Sequence, residues 1–258
     1  MKRTLDVGMV GGLALGLLSI FGSFVLEGGE VGALILLPAM VIVFGGTLAA
    51  ALIGNSFGSI VQVAKEVWRA LFPVQRDRAT MIETLVRYSI LSRKDGLLSL
   101  EKEMHQVPDP FMRKMLQFVI DGTDPAVLKS LAETEVRYTS ERNLRHAGIL
   151  TKMGGYSPTM GIIGTVMGLI ATLAAAGSDP NELIRHIASA FIATLWGVFM
   201  ANLVWLPLAD KLKALAADEQ LYQEMIVEGV LALQAGEIPS VIRAKLTSMV
   251  QEETKGNE

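Results

Sequence analysis

Two threonines carry the first chemical signal in this chain. Thr165 and Thr194 lie in separate apolar stretches, each within a run of small residues spaced by three and four positions. The first run is Pro158, Gly161, Thr165, Gly168, Thr172 and Ala175; the second is Ala190, Thr194, Gly197 and Ala201. That spacing puts each run on one helix face. Ile162, Val166, Met167, Leu169, Ile170 and Leu173 fall on the other side of the first helix. Two readings are open. Small residues, with Gly164 and Gly168 in Gly-xxx-Gly spacing, let membrane helices pack closely, and a threonine can bond the carbonyl four residues before it. Alternatively, both faces line a narrow path beside a partner helix, and the hydroxyls replace part of a cation's hydration shell.

The same stretches hold no Asp, Glu, Lys, Arg or His. A proton or cation relay needs an ionisable group in the membrane, so this chain cannot complete one alone. Enzyme chemistry is also missing. With no cysteine there is no disulfide, thiolate zinc site or cysteine nucleophile, and His105, His146 and His186 are far apart. No Gly-rich phosphate loop follows a strand, and neither a zincin His pair nor Gly-x-Ser-x-Gly occurs. A net charge of −3 argues against a nucleic-acid binder. The chain is expected to be no enzyme, with no resident cofactor and no metal site.

The elements that position the threonines follow from composition. Of the 258 residues, 51% are hydrophobic and 19% charged, against about 25% charged in a soluble domain. Four stretches lack charge and reach the ~20 residues a membrane helix needs: Val7 to Leu26, Val31 to Ile53, Gly154 to Ala176 and Ile187 to Ala209. The first follows Lys2 and Arg3 but has Asp6 in its basic region and no small-x-small cleavage site, so it reads as a retained helix. Gly11-Gly12 and Gly45-Gly46 lie inside spans and are expected to permit close packing. All but one of the 23 Lys and Arg residues lie in the N-terminus, between Gly54 and Met153, or after Ala209. The positive-inside rule then puts both termini and the long middle segment in the cytoplasm.

The middle segment is too long for a structureless loop. Met81, Leu85, Tyr88 and Leu91, then Phe111, Met115 and Phe118, recur at helical spacing. Asp109-Pro110, Asp124-Pro125 and Asp179-Pro180 fit an N-cap followed by proline at the first helical position. Asp95-Gly96 and Asp121-Gly122 read as turns. A helix starting at Pro125 meets no breaker before Gly154-Gly155, and the fourth span continues past Pro207 toward Ala235, with a kink expected at Pro207. The expected fold is an all-α integral membrane protein. Four transmembrane helices carry a helical cytoplasmic domain formed by the loop between spans two and three and by extensions of spans three and four. The expected division is 1–53 and 154–209 for the spans, 54–153 for the cytoplasmic domain and 210–258 for a helical tail.

The run Gly155-Tyr-Ser-Pro-Thr-Met-Gly-Ile-Ile-Gly-Thr-Val-Met-Gly-Leu-Ile170 resembles the third span of the flagellar-motor stator A subunits, the MotA/PomA family. Ala190-Phe-Ile-Ala-Thr-Leu-Trp-Gly-Val-Phe-Met-Ala-Asn202 resembles the fourth. Pro207-Leu-Ala-Asp-Lys-Leu212, Glu228-Gly-Val-Leu-Ala-Leu-Gln-Ala-Gly236 and Arg93-Lys-Asp-Gly-Leu-Leu-Ser-Leu-Glu101 resemble its tail and charged loop. The resemblance implies a homo-oligomer, a ring of five such chains around two B-type subunits, each with a membrane aspartate. It implies a multi-pass protein of the bacterial inner membrane that turns cation flow into torque on a rotor protein of the FliG type. Thr165 and Thr194 match pore-side positions, Pro158 and Pro207 the prolines that couple ion passage to conformational change, and Arg93, Lys94 and Glu101 rotor-facing charges. Met104 stands where some relatives have an acidic residue. Thr165 favours sodium over protons, because many proton-type members carry alanine there; Ala193 replaces a second hydroxyl of some sodium-type members. An energising subunit of the ExbB/TolQ type, usually of three spans, and a non-conducting membrane scaffold are the rival readings.

Overall fold

The computed structural model describes residues 4–74, 76–174 and 180–256. Its helices are α1 (Val7–Leu26), α2 (Leu37–Gly54), α3 (Phe57–Ala70), α4 (Arg78–Asp95), α5 (Pro110–Ile120), α6 (Pro125–Ala174), α7 (Pro180–Met200), α8 (Leu206–Gln234) and α9 (Pro239–Gly256). Two 3₁₀ segments, Val31–Leu34 and Leu97–Gln106, stand between them, and no strand occurs among the described residues. Four helices are long and apolar enough to cross a membrane: Val7–Leu26, Leu37–Gly54, Pro125–Ala174 and Asn181–Gln234. This is the expected all-α membrane architecture.

Two compact units divide the chain. One comprises Thr4–Pro73 and Asn143–Ala214; the other holds Val74–Arg142 and Leu215–Glu258. Helix α3 therefore groups with the membrane spans. Both α6 and α8 carry residues of each unit.

In the membrane unit, Asp6 caps α1 by accepting the Met9 N–H at 2.8 Å. No residue of α1 is buried within the chain. An apolar helix left this bare requires lipid or another chain around it, because water would leave its hydrocarbon surface unpaid by any burial. The second span departs from expectation. Its α-helix starts at Leu37 rather than Val31, because Pro38 supplies no donor and fits only the first turn. Val31–Leu34 instead winds as 3₁₀, and the Trp196 indole N–H donates to the Leu34 carbonyl at 2.8 Å. Phe21, Phe44 and Phe199 gather around the Trp196 ring at 5.3–6.2 Å between centroids.

The irregularity expected at Pro207 takes the form of a π-turn over Ala201–Trp205, where the Leu206 N–H donates five residues back to Ala201. A proline ring collides with the carbonyl four residues earlier, and a widened turn gives it room. Pro158, by contrast, sits inside α6 without ending it. Within the chain, the close packing expected of the paired glycines occurs at Gly46. Added side-chain carbons at Gly11, Gly12 and Gly45 would meet open space, whereas at Gly46 one would meet the Met160 sulfur at 2.6 Å.

The other unit is built as a water-soluble domain. Met81, Leu85 and Tyr88 of α4, Met115 and Leu116 of α5, Leu128 of α6, Met225 and Ile226 of α8 and Leu246 of α9 share one core. Leu91, Phe111 and Phe118 pack against it, partly buried. Burial pushes the Tyr222 phenol up to about 12. Asp109 caps α5 through the Met112 N–H at 2.9 Å, and Asp124 caps α6 through the Ala126 N–H at 2.9 Å. Asp179, of the third Asp-Pro pair, lies outside the described residues, as does Ala175 of the small-residue run. Gly96 and Gly122 take φ of +81° and +75°, the left-handed conformation that ends helices at the two Asp-Gly turns.

Candidate functional site

Spans three and four meet backbone to backbone, and glycine makes the meeting possible. A side-chain carbon on Gly161 would lie 2.9 Å from the Ala193 carbonyl oxygen, and one on Gly197 would lie 2.7 Å from that of Ser157. Toward the other end of the seam, carbons on Gly164 and Gly168 would meet the methyl groups of Ala193 and Ala190 at 2.6 and 2.9 Å. The two small-residue runs therefore pack on each other.

That packing brings the two threonines together. The Thr165 and Thr194 hydroxyls are hydrogen-bonded to each other, and Thr165 Oγ1 also lies 2.9 Å from the Ala190 carbonyl oxygen and 3.1 Å from that of Gly161. Each hydroxyl has one proton. When Thr165 donates to a carbonyl, it accepts from Thr194. Four neutral oxygens thus converge on one half-buried point of the seam, a donor set that suits a hard cation. The sequence of both spans provides no charge to hold one there. Thr172 of the same run bonds its own helix instead, at the Gly168 carbonyl 2.8 Å away.

Pro158 follows Ser157, whose carbonyl lies at the closest crossing with Gly197. Lacking an N–H, it leaves the Gly154 carbonyl without its helical donor. Pro207 is exposed and is the second residue of α8, two positions after the π-turn ends at Trp205. Each proline therefore marks a point where a span's hydrogen-bond ladder is interrupted. Two groups escaped the sequence reading: the hydroxyls of Thr47 and Ser157 are fully buried without a partner. A hydroxyl in an apolar run looks the same whether it faces lipid, its own helix or a tight crossing, so spacing alone could not single them out.

Arg93, Lys94 and Glu101 belong to the other unit. The first two occupy the last turn of α4, where positive charge complements the helix dipole. Glu101 lies on the 3₁₀ segment beyond Gly96. All three are exposed, and none has an ion-pair partner among the described residues. Met104 is buried in the core, so its position presents no charge to a partner.

Known proteins match this arrangement. A profile described as Motility protein A N-terminal matches residues 10–95, and one described as the MotA/TolQ/ExbB proton channel family matches residues 103–225. Motility protein A of Bacillus subtilis (strain 168) is 34% identical over 91% of this chain and 87% of its own length. Chemotaxis protein PomA of Vibrio alginolyticus is 30% identical over 95% of this chain and 94% of its own. The flagellar MotAB stator complex from Bacillus subtilis contains a chain that is 32% identical, with a TM-score of 0.86 over 96% of this chain and 98% of that one. The chain belongs to the MotA/PomA family of motility proteins.

Proposed function

We propose that this chain is the A-type stator subunit of a bacterial flagellar motor, forming with a B-type subunit a cation channel that drives the rotor. One observation carries the reading. Spans three and four set a pair of hydroxyls and two carbonyls at one point of a seam that holds no ionisable group. The charge must come from a partner helix with a membrane carboxylate. A solved relative is part of a flagellar MotAB stator complex, and an assembly of that kind supports a B-type partner here.

In this reading Thr165 and Thr194 line the ion path and favour sodium, since a sodium ion needs several oxygen ligands whereas a proton needs only a carboxylate and a hydrogen-bonded route. Pro158 and Pro207 let the spans flex as ions pass. Arg93, Lys94 and Glu101 face a rotor protein of the FliG type. The subunits form a homo-oligomer, a ring of five, in the bacterial inner membrane with both termini in the cytoplasm. Against the ExbB/TolQ reading stand the full-length motility relatives and the match to the motility-specific N-terminal profile.

The test is complementation. Cells lacking their own stator genes regain swimming when this chain is expressed with its B-type partner, and swimming speed rises with sodium at fixed pH and membrane potential. The chain alone, in liposomes with an ion-sensitive dye, passes neither ion. Substantial flux without a partner overturns the reading; a flat sodium response reassigns the ion to the proton.

A further inference from the structure

Beside Pro207 the membrane unit contains a cavity of about 450 Å³ between the start of α1 and the fourth span. Met9 lines it from α1, Leu203 and Val204 from the π-turn, and Pro207 from α8. Asp6 and Lys211 complete its wall, and their side chains form an ion pair. Glu66–Arg69 and Asp210–Lys213, also ion pairs of this unit, each join residues three apart on one helix. The Asp6–Lys211 pair joins two spans.

Asp6 is held in place three ways. Its carboxylate accepts the Met9 N–H, its own N–H donates to the Leu71 carbonyl at 3.0 Å, and it pairs with Lys211. The bond from the Lys211 ammonium, then that from the Met9 N–H, holds the carboxyl below the usual carboxylate range against the opposing effect of burial. Its side chain is 14% exposed and that of Lys211 32%, so salt screens the pair less than it would a surface pair. Asp210, the neighbouring acid, is taken up by Lys213 at 2.9 Å.

Lys211 lies four residues beyond Pro207, one helical turn past the place where the hydrogen-bond ladder is interrupted. A π-turn followed by a proline is a soft joint in an otherwise stiff rod. A joint passes displacement onward only if a point next to it is held; otherwise bending dissipates in both directions. We propose that the Asp6–Lys211 ion pair is the fixed point against which the Pro207 joint turns, which makes both residues positioning residues for coupling ion passage to movement of α8. The inference rests on the stator reading above. It adds that span one takes part in force transmission through its first capping residue.

The test uses the complete complex with the B-type partner in cells lacking their own stators, and reads both tethered-motor torque and ion entry per complex. Wild type must rotate; if it does not, the stator reading fails, whatever the pair does. Lys211→Met lowers torque roughly fivefold, the size of a typical coupling energy, at unchanged membrane level and with ion entry retained. Lys211→Arg keeps the charge and keeps the torque. Asp6→Asn preserves an N-cap oxygen but not the charge, and matches Lys211→Met; the double variant is no worse than either single one. Unchanged torque in Lys211→Met, additive losses in the double variant, or a parallel fall of torque and ion entry would each overturn the proposal. Should Lys211→Met fail to accumulate in the membrane, Asp6→Asn supports the same comparison, because the cap it retains keeps α1 intact.

Discussion

The two units of this protein are held together by opposite means. In the membrane unit the closest contacts are between backbones, at Gly161, Gly197 and their neighbours, while large apolar side chains such as Ile162, Val166 and Leu173 point outward. In the other unit Leu85, Met115, Leu116, Met225 and Ile226 fill a core, and among its described charged residues Asp109 alone is buried, as the cap of α5. Solvent explains the inversion. In water, burying a large side chain is what stabilises; in lipid it gains little, because the tails are as apolar as leucine. Close approach of helices then has to come from dispersion and short polar contacts, and small residues allow both.

Substitutions that exchange the two strategies should break the comparison. Gly197→Leu is the most severe, because a side chain there strikes the Ser157 carbonyl and the Gly161 backbone, neither of which can swing aside. Loss of swimming and of assembled complex is expected, read by motility assay and by size-exclusion profile of the detergent-extracted complex. Gly155→Ala, on the facing span, meets open space and should leave both unchanged. A near-normal Gly197→Leu would mean that the seam is looser than its geometry.

Leu85→Ala tests the opposite logic. Truncating a fully buried leucine costs about 2–5 kcal/mol when the cavity does not collapse. The expected result is a lower thermal transition of that unit in the purified complex, with little change in ion entry per surviving complex. By contrast, Leu173→Ala on the outward face of span three should barely move that transition.

Thr165→Ala should act on function rather than assembly. Losing one hydroxyl from the four-oxygen cluster is expected to raise the sodium concentration for half-maximal swimming by roughly two- to tenfold, the range of a single hydrogen-bonding contribution. Thr165→Ser keeps the oxygen and should restore most of the response. An unaltered sodium response in Thr165→Ala would reduce the pair to a packing contact. The smallest effects belong to the exposed charges: Arg93→Glu or Glu101→Lys alone should slow swimming mildly, and the two together more. Individually exposed charges interact weakly. Normal swimming in the double variant would return them to ordinary solvated surface.

Much of the architecture was legible in the residues. Charge-free runs marked the four spans, since a charge in the bilayer is costly. Asp109 and Asp124 marked helix starts, and Gly96 and Gly122 marked their ends, because capping and left-handed turns are local chemistry. The start of span two was misread: Val31–Leu34 is as apolar as a span, and only the proline at position 38 and the Trp196 indole show where the α-helix begins. Gly11 and Gly46 look alike in sequence, yet only Gly46 meets a neighbouring helix.

What the sequence determined by itself were properties of single segments: their hydrophobicity, period, caps and the absence of a carboxylate in the spans. Tertiary structure alone decided which faces meet. The Thr165–Thr194 hydrogen bond spans 29 residues and the Asp6–Lys211 pair 205; local spacing marks the two threonines but not that they touch, and it marks nothing of the ion pair. Periodicity reports which side of a helix is distinctive, whereas a contact depends on the rotation and depth of two helices at once, and those are set by the packing of every other span around them.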